Sequence, residues 1–294
     1  MAEPIHIEFT RFSAFYSPLI ATIAGGFLAK EGFDPTYAVC APGTSAIDGI
    51  LAGTVQVGQS APSQAFAQLE KGQRPAVAHF AQINEMDGFF LVARQPDPMF
   101  KWSTLKGRRV IVDHGGQPLA MFKYACLKRG INFGDIVAVN VPAPDMEAAF
   151  RGGEGDYVHL QGPHPQQLEY DKVGHIVASC GAAIGPCAFS SLVASRDWLL
   201  MPQAKRFMRA YREARAWVIK TPAPEVARVE ASFFPSIDPD VLSRTIAAYQ
   251  KLGNWTPHVE ITRTAWEAVN DIFLNAKLIT RRHRYEDAIV APPL

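Results

Sequence analysis

From Ile5 to Leu160 the chain repeats one rhythm: a short apolar run, a turn rich in glycine or proline, then apolar residues at helical spacing closed by glycine. Ile5 to Phe9 alternates as a strand, and Ser17-Pro18 supplies a helix start with serine as cap and proline in the first turn. Leu19, Ile20, Ile23, Phe27 and Leu28 share one face of that helix, Gly32 ends it, and Thr36 to Cys40 is the next strand, followed by Pro42-Gly43. A helix through Ile47, Ile50 and Leu51 stops at Gly53; strand Val55 to Val57, loop Gly58 to Pro62 and a helix carrying Phe66 and Leu69 follow. This alternation predicts an α/β fold with a largely parallel sheet, whose ligands gather beyond the carboxyl ends of the strands.

A second round begins at Leu105 to Arg109: strand Val110 to Val112, loop Asp113 to Pro118, and a helix through Met121, Tyr124 and Leu127 ending at Gly130. Strand Val137 to Val141, helix Met146 to Phe150 and strand Tyr157 to Leu160 complete it, so two similar lobes are implied. Ile47 to Pro62 and Met146 to Pro163 echo each other as helix, glycine stop, short strand and a turn with glutamine and proline, placing Gln59 and Gln161 in matching positions. Beyond Val193 the chain turns helical, with apolar stripes Phe207, Tyr211, Ala214, Trp217, then Leu242, Ile246, Tyr249, then Trp266, Val269, Phe273. Those spacings mark faces turned to a core.

Composition excludes several classes. The 294 residues are 48% hydrophobic and 19% charged, which is globular, and the net charge of +1 with interspersed signs lacks the basic field that a nucleic acid requires. No apolar run is long enough to span a bilayer, so no direct membrane insertion is expected. Met1 to Phe9 carries no secretory signal; the expected location is periplasmic if a signal has been removed ahead of Met1, and cytoplasmic if Met1 is the native start. Cys40, Cys126, Cys180 and Cys187 are too few and scattered for a disulfide scaffold or zinc knuckle, although Cys180 and Cys187 flank a short loop and are close enough in sequence to pair.

Several segments resemble the solute-binding proteins for nitrate, sulfonates, taurine and thiamine-pyrimidine precursors, a family that includes thiamine-pyrimidine synthase relatives. The markers are Phe15 to Leu19, Gly26 to Asp34 and Ile50 to Gly58 in the first half, with Leu105 to Val110 and Phe150 to Asp156 in the second. Their order over most of the chain carries the resemblance. It implies a type II periplasmic-binding-protein fold: two α/β lobes with a hinge and a helical C-terminal tail, lobe one from residues 1–92 plus 190–294 and lobe two from 93–189, closing on a ligand. It implies, too, ABC-transporter membrane subunits as partners.

Candidate contacts lie on the loops after strands. Gly115-Gly116-Gln117, between a strand and a helix start, offers free amides and the positive end of a helix dipole to an anion, or is a plain tight turn. Gly58-Gln59-Ser60 and Gln161-Gly162 offer donors and acceptors from the two lobes. Phe12, Phe15 and Tyr16 supply an aromatic wall, or Phe12 and Phe15 belong to the core beneath. His114 and His159 fall at strand ends with His164 nearby, and Glu85 or Asp87 faces them from the opposite lobe. Their spacing forms no compact metal motif, so ligand-orienting or structural roles are expected, with no metal, no cofactor and no catalytic constellation.

The first reading is therefore a protein that captures a small organic ligand, anionic or aromatic, for an ABC-type importer. The competing reading is a cytoplasmic enzyme on the same fold, a decarboxylase, desulfinase or pyrimidine-synthase-like lyase using His114 and His159 in the cleft.

Overall fold

A computed structural model describes residues 2–294. Ten strands form two five-stranded sheets. In chain order they are β1 (Glu3–Phe9), β2 (Phe33–Val39), β3 (Val57–Ser60), β4 (Val77–Gln82), β5 (Phe89–Ala93), β6 (Arg109–Val112), β7 (Val137–Asn140), β8 (Tyr157–Gln161), β9 (His175–Ser179) and β10 (Ser191–Ser195). Helices α1 (Ser17–Ala24), α2 (Phe27–Lys30), α3 (Ala46–Leu51) and α4 (Phe66–Leu69) accompany the first strands. The next are α5 (Gly116–Lys128), α6 (Met146–Arg151), α7 (His164–Tyr170) and α8 (Cys180–Ile184), and the tail holds α9 (Pro202–Lys220), α10 (Ala223–Glu230), α11 (Pro239–Leu252), α12 (Arg263–Asn275) and α13 (Tyr285–Ala288).

The two sheets have equivalent orders, β2-β1-β3-β10-β4 and β7-β6-β8-β5-β9. In each, the first three strands run parallel and the fourth antiparallel to its neighbours. The echo seen in the sequence is therefore positional: α3-β3 and α6-β8 hold the same place in their sheets, and Gln59 and Gln161 lie at the ends of β3 and β8.

Some boundaries differ from the sequence reading. Gly58 to Ser60 is strand, not loop, because its backbone pairs with β1 on one side and β10 on the other. Ser17 is the first residue of α1 rather than its cap; its hydroxyl donates to Ala14 O and to Glu230, while Ser13 caps the preceding single turn. Phe89 to Ala93 pairs with β8 and β9 in the second sheet, so the chain crosses between sheets at 83–88, a few residues before position 92. The return crossing, 185–190, leads into β10.

The crossings are tied to one another and to the tail. Asn84 donates to Phe15 O and accepts from Ser190 N, linking both crossings with the loop after β1. Arg215, fully buried on α9, donates to Ile83 O at 2.7 Å and to Thr256 O at 2.8 Å, so its charge is met by carbonyls at the start of the first crossing. Helix α9 packs on α1 and α2, whereas α11 touches α7 and α12 touches α5. The tail therefore reaches the helices of both sheets, beyond the first half alone. Phe207, Tyr211, Ala214, Leu242, Ile246, Tyr249, Trp266, Val269 and Phe273 are all buried, as their helical spacing predicts, while Trp217 is only partly buried. All four cysteines are free.

Candidate functional site

The carboxyl ends of the parallel strands from both sheets frame a cavity of about 210 Å³. From the first sheet come Thr10, Arg11 and Tyr16 after β1, Gln59 and Ser60 of β3, and Ser45 and Ala46 at the start of α3. The second sheet contributes Phe89, Gly115 to Pro118 and Gln161, and the return crossing contributes Phe189 and Ser190. A smaller chamber of about 40 Å³ adjoins it, sharing Arg11, Phe89 and Gln161 and adding Phe12, Asp113, His159 and Gly162.

Local bonding fixes these groups. Gln59 accepts from the backbone and hydroxyl of Thr10 at 3.0 and 2.6 Å and donates to Ser190 Oγ at 3.2 Å, which locks its amide. Gln117 accepts from Ser63 Oγ at 2.5 Å and donates to Ala188 O at 3.2 Å, so this second-sheet residue is held by the opposite half and the crossing. Helix α5 starts without a side-chain cap, and Asp113 Oδ1 takes the amide of Gly115 at 2.8 Å. The amides of Gly116 and Gln117 then precede the first intrahelical bonds and stay available at the positive end of the helix. Arg11 is the one ionised side chain lining the larger cavity among the described residues. Its guanidinium stands 3.7 Å from Asp113, which lines only the smaller chamber.

The structure thus gathers Tyr16, Gln59, Ser60, Gly115, Gly116, Gln117 and Gln161 in the larger cavity, and Phe12, His159, Gln161, Gly162 and His164 in the smaller. Five of the residues singled out line neither: Phe15, Gly58, His114, Glu85 and Asp87. Phe15 is fully buried between Tyr16, Phe189 and Tyr249, over Gly88, where an added Cβ would lie 2.4 Å from its ring. Gly58 is a packing glycine, since a Cβ there would meet Ala46 Cβ at 2.5 Å. His114 is exposed, with its Nδ1 against Val112 O at 2.6 Å.

His159 and His164 both line the smaller chamber, whereas His114 lines neither space. The His159 ring lies between Phe89 at 4.5 Å and Phe122 at 4.8 Å; burial lowers its pKa to about 3, so it is neutral, and neither nitrogen has a partner. His164 is exposed and pairs with Glu147 at 2.5 Å. Glu85 pairs with His258 at 3.0 Å and accepts from Thr262, and Asp87 is buried on the first crossing, accepting from Phe89 N at 2.6 Å. No group of three metal-ligating side chains occurs among the described residues. Arg11, Ser45, Ala46, Phe89, Phe189 and Ser190 were not legible as site residues, because they reach the cavity only through pairing between distant segments.

Residues 14–225 match the family described as NMT1/THI5 like. The chain belongs to the NMT1/THI5-like family. A candidate binding protein of Bacillus subtilis (strain 168), YtlA, is 29% identical over 265 residues, covering 88% of this chain and 79% of that one. The alkanesulfonate-binding protein SsuA from Xanthomonas axonopodis pv. citri, solved with MOPS bound, superposes with a TM-score of 0.73 at 17% identity, covering 99% of this chain and 100% of that one. The periplasmic nitrate-binding protein NrtA from Synechocystis PCC 6803 gives 0.64 at 17% identity over 83% of this chain and 70% of that one. At these identities the likeness shows the fold, which is that of the type II periplasmic binding proteins: two α/β halves joined by crossings, with a helical tail. No helix among the described residues is long and apolar enough to cross a membrane.

Proposed function

We propose that this NMT1/THI5-like chain is a solute-binding protein that encloses a small organic anion between two lobes and presents it to the membrane subunits of an ABC-type importer. Lobe one is built on β1 to β4 and β10, and lobe two on β5 to β9, with the sheet crossings at 83–88 and 185–190 as hinge. The observation that carries the reading is the charge of the larger cavity: Arg11 is its sole ionised lining among the described residues, and the free amides of α5 open onto it. An anion meets a positive charge and fixed donors there, with no carboxylate on that wall. Tyr16, Phe89 and Phe189 provide apolar surface for the rest of the molecule.

The relatives support the same class, since the family fold is shared with proteins named for binding alkanesulfonate and nitrate. A protein of this role works outside the inner membrane, so the reading includes a periplasmic location. Calorimetry with benzoate, methanesulfonate, nitrate and matched organic cations tests it. Tightest binding by a cation, or undiminished anion binding after Arg11→Ala, overturns the assignment.

A further inference from the structure

The smaller chamber differs in chemistry from the cavity it adjoins. Gln161, 5% exposed, lines both chambers and has a side-chain oxygen without a hydrogen-bond partner. His159, fully buried in the chamber wall, leaves both ring nitrogens unpartnered. Asp113, 3% exposed, uses one carboxylate oxygen on Gly115 N, while the other is 3.7 Å from Arg11, beyond hydrogen-bond range. The chamber therefore holds an unmet acceptor in Gln161 Oε1 and an imidazole, one donor and one acceptor when neutral, with neither nitrogen bonded, beside the Arg11–Asp113 pair.

Leaving such groups dry costs on the order of 1–3 kcal/mol each, so an occupant that bonds them is favoured. A volume near 40 Å³ exceeds the roughly 10–15 Å³ that one water needs and matches a hydroxyl, amino or amide group. Phe89, Arg11 and Gln161 line both spaces, so a ligand seated against them in the larger cavity lies next to the chamber.

We infer that the smaller chamber is a subsite for a hydrogen-bond-donating group of the ligand, with Gln161 as its specificity-determining residue, so that the protein selects organic acids bearing a hydroxyl, amino or amide donor over purely alkyl or aryl acids and over bare inorganic anions. This rests on the anion reading of the larger cavity. The acid end occupies Arg11 and the α5 amides, and the donor end reaches Gln161 Oε1 and Asp113. His159 receives or returns a bond according to its tautomer. A ligand that merely fills the chamber displaces water without replacing its bonds and binds less tightly.

Calorimetry on the full chain with benzoate and its 3- and 4-hydroxy, amino and methyl derivatives tests the subsite, with 4-methylphenol as the donor that lacks an acid. The best hydroxy or amino acid is expected to bind at least ten-fold tighter than its methyl counterpart. That margin is expected to collapse to within about two-fold in Gln161→Met and to shrink in His159→Phe, a pair chosen so that one folded variant suffices; unfolding midpoints show which is folded. Equal binding of hydroxy, amino and methyl acids overturns the subsite and leaves the anion cavity standing. So does an unchanged margin in the folded variants. Binding of 4-methylphenol without binding of any acid overturns the anion reading instead, and binding by none of the probes rejects both.

Discussion

Ser13 Oγ, on the loop after β1, donates to the carbonyl of Gly162, at the end of β8, at 2.6 Å. Both residues are buried, and the bond joins the first sheet's half to the second's. With Ser63 on Gln117 it makes two neutral hydrogen bonds that exist only while the halves are together. A bond of this kind is worth on the order of 1 kcal/mol net, about five-fold in an equilibrium. Ser13→Ala and Ser63→Ala are each expected to weaken benzoate binding by about that factor, with the double change near the product because the sites share no partner. Calorimetry reads the factor, and unaltered affinity in the double variant would show that closure does not depend on these ties.

Gly116 opens the cavity at the start of α5, and a Cβ built there meets nothing within 4 Å. Gly116→Val is therefore expected to fold, while its branched side chain keeps a ligand from the free amides and lowers affinity ten-fold or more. Arg282, paired on the surface with Glu267 and Asp271, lies outside both chambers, so Arg282→Ala is expected to bind as the parent does. Equal affinities in the two variants would remove the α5 amides from the site.

Gly162 is where β8 meets the tail: an added Cβ would stand 2.6 Å from Thr245 Cγ2 and 2.8 Å from Tyr249 Oη. Overpacking at such a point costs roughly 1–3 kcal/mol. Gly162→Ala is expected to lower the unfolding free energy by that amount, read from the shift of the denaturant midpoint, and Thr245→Ser in the same background to restore part of it. No rescue would mean that the strain lies elsewhere.

Burial lowers the pKa of His79 and His159 to about 3. An unfolded chain takes those protons near pH 6.5, so each imidazole contributes stability that is present above that pH and lost as pH falls towards 3. Asp87 acts in the opposite sense. Burial first, and then the charge of Asp113, raise its pKa to about 7, so the folded chain holds a proton that the unfolded chain releases near pH 4. Its contribution is full below about pH 4 and lost as pH rises through 7. Urea unfolding from pH 7 to 3.5 is expected to show a shallower acid loss in His159→Phe and a steeper one in Asp87→Asn than in the parent. Parallel curves for all three would contradict these protonation states.

The parallel strands were legible because each is short, apolar and bounded by glycine or proline: β1, β2, β6, β7 and β8 lie within a few residues of their expected places. Strand β9, half-buried throughout, was not, and neither were β4, β5 and β10. Their residues are buried almost throughout, so Val77 to Gln82 and Phe89 to Ala93 show no alternation, and β10 is placed by pairing with segments more than a hundred residues away. The same holds for the cavity. Gln59, Gln161 and Gly115 to Gln117 stand out as polar or glycine positions after strands, whereas Arg11 and Asp113 acquire meaning only from their 3.7 Å approach. Phe15 followed the core reading of its two alternatives, which stayed open because an aromatic residue beside a cavity-lining tyrosine carries no local sign of which way it turns.

The position of β10 between β3 and β4 governs the order in which a growing chain can assemble. Every strand of the second sheet lies between Phe89 and Ser179, so that sheet can pair as soon as its own contiguous stretch has emerged. The first sheet cannot: β3 and β4 have no direct neighbour in each other, and the strand that must bridge them ends at Ser195. Until then β4 lacks its one strand partner, and residues that end fully buried face solvent or a chaperone. The half that is begun first on the ribosome is thus finished last, and a chain halted before Ser191 would display an unpaired apolar strand beside a sheet already complete.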